Sequence, residues 1–187
     1  VRYKGETIVK TPMNYNLAIE IAKDIISVPN CEVLLSGEKT AYIMPKTEEY
    51  LIRMAKVVQY KTTIIKSLDE IQEDILKVSV CDLSGIANSE KYFADKWSDK
   101  AAAAVSGDQY MDFMDLCVSK GDALKKVQKI YGIDRSECMA FGDNYNDCEM
   151  LKQAEFSYAM ASAADDIKKN ALYVTDSVEK ILRGELL

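Results

Sequence analysis

The sequence has no histidine at any of its 187 positions. This absence excludes Ser-His-Asp and Cys-His nucleophilic catalysis, and it excludes zinc sites that depend on imidazole ligands. The sequence also lacks an apolar run near the roughly 20 residues of a transmembrane helix, and it shows no signal-peptide pattern. We therefore expect no membrane partner and a chemistry that depends on carboxylates, lysine and a hard metal ion.

Cysteine is infrequent, and its spacing does not indicate a disulfide framework. The five cysteines are odd in number, form no Cys-x-x-Cys pair and mostly lie in apolar runs: Cys31, Cys81, Cys117, Cys138 and Cys148. Such residues are typical of reduced thiols in a protein interior. The pattern predicts a cytoplasmic protein.

Positive charge is in the minority, with 24 lysine and arginine residues against 30 acidic residues and a formal net charge of −6. The acidic residues are scattered along the chain and form no tail or block. This distribution argues against nucleic acid or an anionic membrane as a partner. The hydrophobic content of 48% is enough for one large or two small domains with a buried core.

The most informative stretch is residues 141–147, with the sequence FGDNYND. It follows a short apolar run and precedes a helical pattern, which predicts a buried parallel strand, an acidic turn and a helix. Ligands of open α/β sheets bind at the carboxyl ends of such strands. Magnesium takes one or two carboxylates and completes its shell with water and phosphate oxygens, so Asp143 and Asp147 suggest a magnesium site.

The two aspartates have two other interpretations. Asp is common in loops and at helix N-caps, so Asp143 and Asp147 could be ordinary solvated residues. An EF-hand calcium loop requires an oxygen ligand at its third position and Gly at its sixth. Those positions hold Tyr145 and Cys148, which excludes the calcium loop.

A second element of interest lies upstream, where Ser119 and Lys120 open a helical pattern that Gly132 would end. A lysine at the mouth of a site can bind a phosphate and offset a carboxylate. On its own, such a lysine is more often a solvated surface residue.

The pattern of the sequence changes after Leu116. The earlier part reads as helix, hairpin, helix, strands, helix and hairpin, an α+β pattern with mostly antiparallel pairing. From Lys120 onward, helices alternate with strands at 138–141, 156–160 and 172–174, which is typical of a doubly wound α/β fold. A boundary is expected near residues 112–118.

The late motifs resemble those of the haloacid dehalogenase superfamily, and in particular its Cof-type phosphatases. The matching residues are Lys120-Gly121, then Gly142-Asp143-x-x-Asn146-Asp147, then Met150-Leu151, followed by Ala159-Met160, Ala163, Ala171 and Tyr173-Val174-Thr175. The resemblance covers roughly the last 75 residues. One departure is Ala161-Ser162, where Cof-type sequences usually carry Gly-Asn.

The resemblance implies an α/β fold, namely the C-terminal half of a Rossmann-like core with an inserted α+β cap domain. Residues 1–12 would form core or hinge strands, residues 13–112 the cap, and residues 113–187 the core. No motif in the expected cap indicates a particular substrate.

The resemblance also implies a magnesium-dependent phosphatase of small phosphorylated metabolites such as sugar phosphates. Asp143 would be the Mg²⁺ ligand. Lys120 would be catalytic and would bind the phosphate, because a positioned cation offsets charge during phosphoryl transfer. Asn146 would contact phosphate or substrate, and Asp147 would be a second catalytic residue that orients Lys120, the metal's waters or the phosphate.

The family's nucleophile motif, Asp-x-Asp, does not occur in the sequence. Its nearest imitation is Asp82-Leu83-Ser84, which lies in the expected cap and is more simply a strand-end turn. We therefore expect the C-terminal part of a longer phosphatase, inactive alone, because the aspartyl-phosphate step lacks its nucleophile. Without the strand that would carry the nucleophile, the core sheet is expected to have an unpaired edge. Such an edge pairs readily with another chain, which predicts a homodimer, aggregation or association with a missing N-terminal segment.

Two alternative functions remain to be separated from this one. The first is a non-catalytic binding or regulatory module that keeps the acidic site and has lost the nucleophile. The second is a P-type ATPase phosphorylation domain, which the absence of a membrane segment disfavours.

Overall fold

The computed structural model describes residues 1–55 and 61–185 and divides into two compact units. One unit combines Val1–Val9 with Val118–Leu187, and we call it the three-stranded unit after its main sheet. The other comprises Lys10–Cys117, and we call it the six-stranded unit.

The observed division after Cys117 lies within the boundary range of 112–118 that the sequence predicts, whereas the predicted cap limits were residues 13 and 112. Tyr110–Met114 is one continuous strand that pairs along its length with a neighbour in the six-stranded unit, so a cut after residue 112 would divide it. Lys10 forms salt bridges with Glu38 and Asp74, which places it in that unit as well.

The first elements are a short antiparallel hairpin, β1 (Arg2–Tyr3) and β2 (Glu6–Thr7). The six-stranded unit then contains three helices, α1 (Tyr15–Ser27), α2 (Glu48–Arg53) and α3 (Glu90–Trp97). Its strands are β3 (Cys31–Ser36), β4 (Ala41–Ile43), β5 (Thr62–Ile64), β6 (Lys77–Asp82), β7 (Ala102–Val105) and β8 (Tyr110–Met114).

The six strands lie in the order β5-β4-β3-β6-β8-β7. All neighbouring pairs are antiparallel except β4 and β5, which are parallel. The prediction of mostly antiparallel pairing is confirmed. The predicted second helix and the following strand reach into residues 56–60, which lie outside the described residues.

The two faces of this sheet have different surroundings. On one face, Val33, Leu35 and Val80 are fully buried in a core with α1 and α3, to which α1 contributes Ile21 and Ile25 at helical spacing. On the other face, Tyr50 and Met54 of the α2 region cover Leu34, Ile43 and Cys81. The rest of that second face, around Lys77, Ser79 and Asp112, lines an open cleft.

The C-terminal end of α1 is closed by a lysine from outside the helix. Lys46 Nζ donates hydrogen bonds to the carbonyl oxygens of Ile25 (3.4 Å), Val28 (2.6 Å) and Cys31 (2.6 Å). Burial lowers the pKa of Lys46, an effect that the carboxylate of Glu32 opposes. The ammonium group thus supplies donors to carbonyls that a helix end leaves without intrahelical partners.

The three-stranded unit alternates helix and strand, as predicted. Its elements are α4 (Lys120–Tyr131), β9 (Met139–Gly142), α5 (Cys148–Gln153), β10 (Phe156–Met160), α6 (Asp165–Lys168), β11 (Tyr173–Thr175) and α7 (Val178–Leu182). The strands are parallel in the order β11-β10-β9, so β9 has β10 as its single neighbour among the described residues. These parallel strands form a Rossmann-like sheet, with β9 at one edge among the described residues.

The ends of α4 are those that the sequence indicates. The Ser119 hydroxyl accepts a hydrogen bond from the Asp122 amide at 2.9 Å, and Gly132 follows the helix with a left-handed φ of 65°. A residue with a Cβ adopts that conformation only with strain, so Gly132 is a suitable stop. Across residues 1–55 and 61–185, no helix has the length and apolarity that a membrane crossing requires.

Candidate active site

The acidic turn follows β9 directly, at the carboxyl end of the strand. Asn144 accepts a hydrogen bond from the Tyr145 amide at 2.7 Å and caps a 3-10 turn over Tyr145–Asp147. Asp147 is the third residue of that turn, and its side chain makes no cap hydrogen bond to α5. Asp147 stands at the N-cap position of α5, but it is buried, so the interpretation of Asp147 as a solvated residue is wrong.

Asp147 is buried and fully engaged by hydrogen bonds. Its Oδ2 accepts from the backbone amides of Asp143 (3.0 Å) and Asn144 (3.1 Å), and its Oδ1 accepts from Lys120 Nζ at 2.5 Å. Burial raises the pKa of this carboxyl, but the hydrogen bonds from Lys120 and the two amides outweigh that effect and hold the pKa below its usual range. Asp147 is therefore a fixed negative charge that anchors both the turn and Lys120.

Gly142 permits this arrangement because it has no side chain. A Cβ atom on Gly142 would lie 2.5 Å from the Cβ of Asp147, closer than two non-bonded carbon atoms can approach. The glycine between strand and turn is thus required by the position of Asp147.

Lys120 reaches Asp147 because α4 and α5 pack closely. A Cβ atom on Gly121 would lie 2.6 Å from the backbone carbonyl carbon of Glu149 in α5. The absence of a side chain at Gly121 lets the first turn of α4 approach the helix that follows the acidic turn. The Lys120 side chain stays half exposed, so its ammonium group can contact a ligand while it holds Asp147.

Asp143 and Asn146 lie on the same turn and are exposed. Within the described parts of the chain, neither side chain forms a hydrogen bond or ion pair. Asp143 therefore offers a carboxylate with no competing protein partner at the end of β9. Asn146 offers an amide beside it.

The donor set fits magnesium, although this chain supplies few ligands. Among residues 1–55 and 61–185, no three acidic, histidine or cysteine side chains converge on one point. Magnesium commonly takes only one or two protein carboxylates and fills the other positions with water and phosphate oxygens. The free carboxylate of Asp143 meets that requirement, whereas Asp147 is already paired with Lys120.

One contact of the turn had no signal in the sequence. The Tyr145 hydroxyl donates to Asp166 Oδ2 at 2.9 Å, and this hydrogen bond raises the pKa of Tyr145. It connects the turn to the start of α6. Two residues 21 positions apart with no shared motif could not have been paired from the sequence.

Asp82, which begins the stretch most similar to the Asp-x-Asp nucleophile motif, has a structural role. Its buried carboxylate accepts hydrogen bonds from the Ser84 amide (3.0 Å), the Ser84 hydroxyl (2.6 Å) and the Ser89 hydroxyl (3.0 Å). The group is used to close the turn after β6. The interpretation of Asp82 as a strand-end turn residue is confirmed.

The parallel strands, the acidic turn and the lysine at the start of α4 agree with a comparison against known families. The model of the haloacid dehalogenase-like hydrolases matches residues 1–181. The chain belongs to this family. The family assignment, first drawn from the motifs after residue 118, thus extends over nearly the whole sequence.

Several haloacid dehalogenase-like proteins resemble the chain along most of its length. The 5-amino-6-(5-phospho-D-ribitylamino)uracil phosphatase YbjI of Escherichia coli is 25% identical over 97% of this chain and 71% of its own length. A phosphatase of the same description from Bacillus subtilis, YwtE, is 27% identical over 92% of this chain and 64% of its own length. The chain thus spans about two thirds of the length of these relatives.

Solved structures of the family share the fold. A protein from Streptococcus mutans, known from a crystal structure, is 26% identical to this chain with a TM-score of 0.76. The match covers 97% of this chain and 71% of the Streptococcus mutans chain. A protein from Thermotoga maritima, known from an X-ray crystal structure, is 19% identical with a TM-score of 0.78. The match covers 98% of this chain and 71% of the Thermotoga maritima chain. The architecture is therefore that of a haloacid dehalogenase-like hydrolase.

Proposed function

We propose that this chain is part of a magnesium-dependent phosphatase that hydrolyses phosphate monoesters of small metabolites such as sugar phosphates. The observation that carries the proposal is the Lys120–Asp147 ion pair beside the free carboxylate of Asp143, at the carboxyl end of β9. It supplies a cation for the phosphate and an open oxygen ligand for the metal, in a chain that belongs to a hydrolase family.

The metal would be held by Asp143, and bound magnesium would neutralise charge on the phosphate oxygens. Asp147 keeps the turn that carries Asp143 in place, since it accepts the Asp143 amide hydrogen bond. The Asp147 carboxylate thus holds both the backbone of Asp143 and the ammonium group of Lys120 by hydrogen bonds. Such fixed geometry favours phosphoryl transfer, in which positioning and charge compensation provide most of the catalysis.

Lys120 would contact the phosphate and stabilise the charge that develops on its oxygens. One N–H of its ammonium group is held by Asp147, and the half-exposed side chain leaves the others for a ligand. Asn146 would donate from its exposed amide to the phosphate or the substrate. Both roles come from the resemblance to the family and agree with the exposure of the two side chains.

The covalent step requires an aspartate that the 187 residues do not provide. The sequence has no Asp-x-Asp, and the carboxylate of Asp82 is buried in its own turn. We propose that this chain contributes the metal-binding and phosphate-binding half of the site and does not turn over substrate alone. The six-stranded unit would then be the substrate-selecting cap of the intact enzyme.

The relatives support the substrate class. YbjI and YwtE are named for a phosphorylated ribitylamino compound, which is a small phosphate monoester of a sugar alcohol. The proposal for this chain stays at that level, namely phosphate monoesters of small hydroxylated metabolites.

The test is the hydrolysis of p-nitrophenyl phosphate by the 187-residue chain and by the product of the complete reading frame, each with and without Mg²⁺. We expect only the protein from the complete reading frame to hydrolyse p-nitrophenyl phosphate. In that protein, Asp143→Asn should abolish hydrolysis. Asp176→Asn is the matched control, because Asp176 is an exposed aspartate of the same unit. Magnesium-independent turnover, or full activity of Asp143→Asn, would contradict the proposal.

A further inference from the structure

Among the described residues, the six-stranded sheet ends in β5 on one side and β7 on the other, and the two edges differ in protection. A free edge exposes backbone amides and carbonyls that can pair with another chain, and proteins commonly protect such edges with lysine, proline or a very short strand. β5 has three residues and is flanked by Lys61 and Lys66. β7 has four residues, Ala102–Val105, with no charge and no proline, and none of them is buried. β7 is therefore the edge without protection.

The hydrogen bonds between β7 and β8 show which residues of β7 point away from the sheet. Along an antiparallel pair, every second residue bonds to the neighbouring strand. The Ser106 amide donates to the Tyr110 carbonyl at 2.9 Å, and the register adds Ala104 to the residues that bond inward. Ala103 and Val105 therefore direct their N–H and C=O groups to the free side, where the described part of the chain places no strand.

These two donors and two acceptors are self-complementary. In a dimer with its two-fold axis at Ala104, β7 of one copy would run antiparallel to β7 of the other. Ala103 of each copy would then lie opposite Val105 of the other, and each of these two pairs would exchange two hydrogen bonds. The two Ala104 residues would face each other with their Cα atoms roughly 4.5 Å apart, a separation that suits a methyl side chain.

The charges beside β7 match this arrangement. Lys100 precedes the strand and Asp108 lies in the turn that follows it, and both are exposed. Within one chain the residues of β7, at about 3.3 Å each, hold the two charges apart. Pairing about Ala104 brings Lys100 of one copy towards Asp108 of the other, because each lies four positions from the axis. An ion pair would thus flank the paired strands at each end.

We propose that β7 is the interface of a homodimer, in which two copies pair their β7 strands antiparallel about Ala104 and join their sheets into one. The occupant of the edge is a second copy of this chain, because both the backbone groups and the flanking charges are self-complementary about one axis. The association goes beyond the proposed phosphatase function, since it uses neither phosphate, magnesium nor the acidic turn after β9.

The test is sedimentation equilibrium of the 187-residue chain at concentrations up to about 300 μM, where we expect a monomer–dimer equilibrium with a Kd of about 10–100 μM. Ala104→Lys would bring two ammonium groups together at the axis, and we expect it to weaken dimerisation about tenfold or more. Within one chain the new lysine lies opposite Asp112, which suits the fold. Ile64→Lys is the matched control, because it adds the same charge to an exposed position on β5 and should leave dimerisation unchanged.

Two outcomes of this experiment would overturn the proposal. The first is a chain that stays monomeric at every concentration. The second is undiminished dimerisation of Ala104→Lys, which would show that the copies meet through another edge, such as β9.

The register is tested by exchanging the flanking charges. Lys100→Asp and Asp108→Lys each place like charges opposite each other in the dimer, and we expect each to weaken dimerisation about fivefold. The double variant restores opposite charges and should recover the original Kd to within about twofold. A double variant that dimerises no better than the single variants would overturn the pairing about Ala104. None of these measurements involves hydrolysis, so the dimer can fail while phosphatase activity holds, and the reverse.

Discussion

The ammonium group of Lys120 lies 2.5 Å from the carboxylate of Asp147, which is 27 positions further along the chain. One partner opens α4, and the other ends the turn after β9. The pair therefore joins the start of α4 to the turn after β9.

Asp147 and Asp143 should differ sharply in their effect on stability. Asp147→Ala leaves two backbone amides without their acceptor, and we expect it to lower the free energy of unfolding by about 1–3 kcal/mol. Asp143→Ala removes an exposed carboxylate without protein partners and should cause no measurable change. Hydrogen exchange of amides in residues 118–185 measures both. Equal effects of the two variants would show that Asp147 does not anchor the turn.

The stability of the three-stranded unit should depend on pH through Asp147. The pKa of this group is lowered on folding, so its stabilising contribution is present above its unfolded pKa of 3.8 and is lost as the pH falls through the folded value. We expect stability to fall between about pH 5 and pH 3 and to fall less steeply in Asp147→Asn. Urea unfolding followed by circular dichroism at several pH values measures the slope. The same slope in both proteins would contradict the assignment.

Gly121→Ala should destabilise the packing of α4 against α5. The new Cβ would meet backbone atoms of Glu149 at 2.6 Å, which cannot move without displacing the helix, and we expect a loss of about 1–3 kcal/mol. Gly37→Ala is the matched control, because its Cβ would meet the flexible end of Glu73 at 2.5 Å. The control should lose clearly less stability than Gly121→Ala. Thermal unfolding of both variants gives the comparison, and a larger loss for Gly37→Ala would refute the argument.

Lys46→Met should weaken the six-stranded unit. The change removes three hydrogen bonds to carbonyls at and beyond the end of α1, and we expect it to cost about 1–3 kcal/mol. Trp97, the only tryptophan of the chain, is buried in the same core, so its fluorescence reports this unfolding directly. Lys91→Met removes an exposed ion pair with Asp95 and should leave the fluorescence transition unchanged. A shift of similar size in both variants would show that the carbonyl contacts do not matter.

The sequence predicted the local features of the site well. Ser119 and Gly132 bound α4, because caps and left-handed glycines act within a few residues. The family motif placed Lys120 and Asp147 in one region before their ion pair was known. The pairing of the remaining turn residue, Tyr145 with Asp166, depends on tertiary structure and had no local signal.

The six-stranded unit shows where sequence reasoning ends. Lys77 and Asp112 are 35 positions apart, and their contact follows from the β6–β8 register. Alternation along a strand predicts which residues share a face, but the order of strands in the sheet does not follow from it. For the same reason, the predicted division at residue 112 cut β8, whose end is set by its partner strand.

The division of the chain has a consequence for the order in which it is made and folded. Residues 1–9 and 118–187 form one unit, whereas residues 10–117 form the other without interruption. During synthesis, the six-stranded unit is complete once Cys117 has left the ribosome, and domains generally fold as units in the order of synthesis. The hairpin at the start of the chain must then wait for α4, where the rings of Tyr3 and Tyr131 meet at 5.7 Å. The unit that carries the acidic turn is thus assembled after the six-stranded unit, from two parts that lie apart in the sequence.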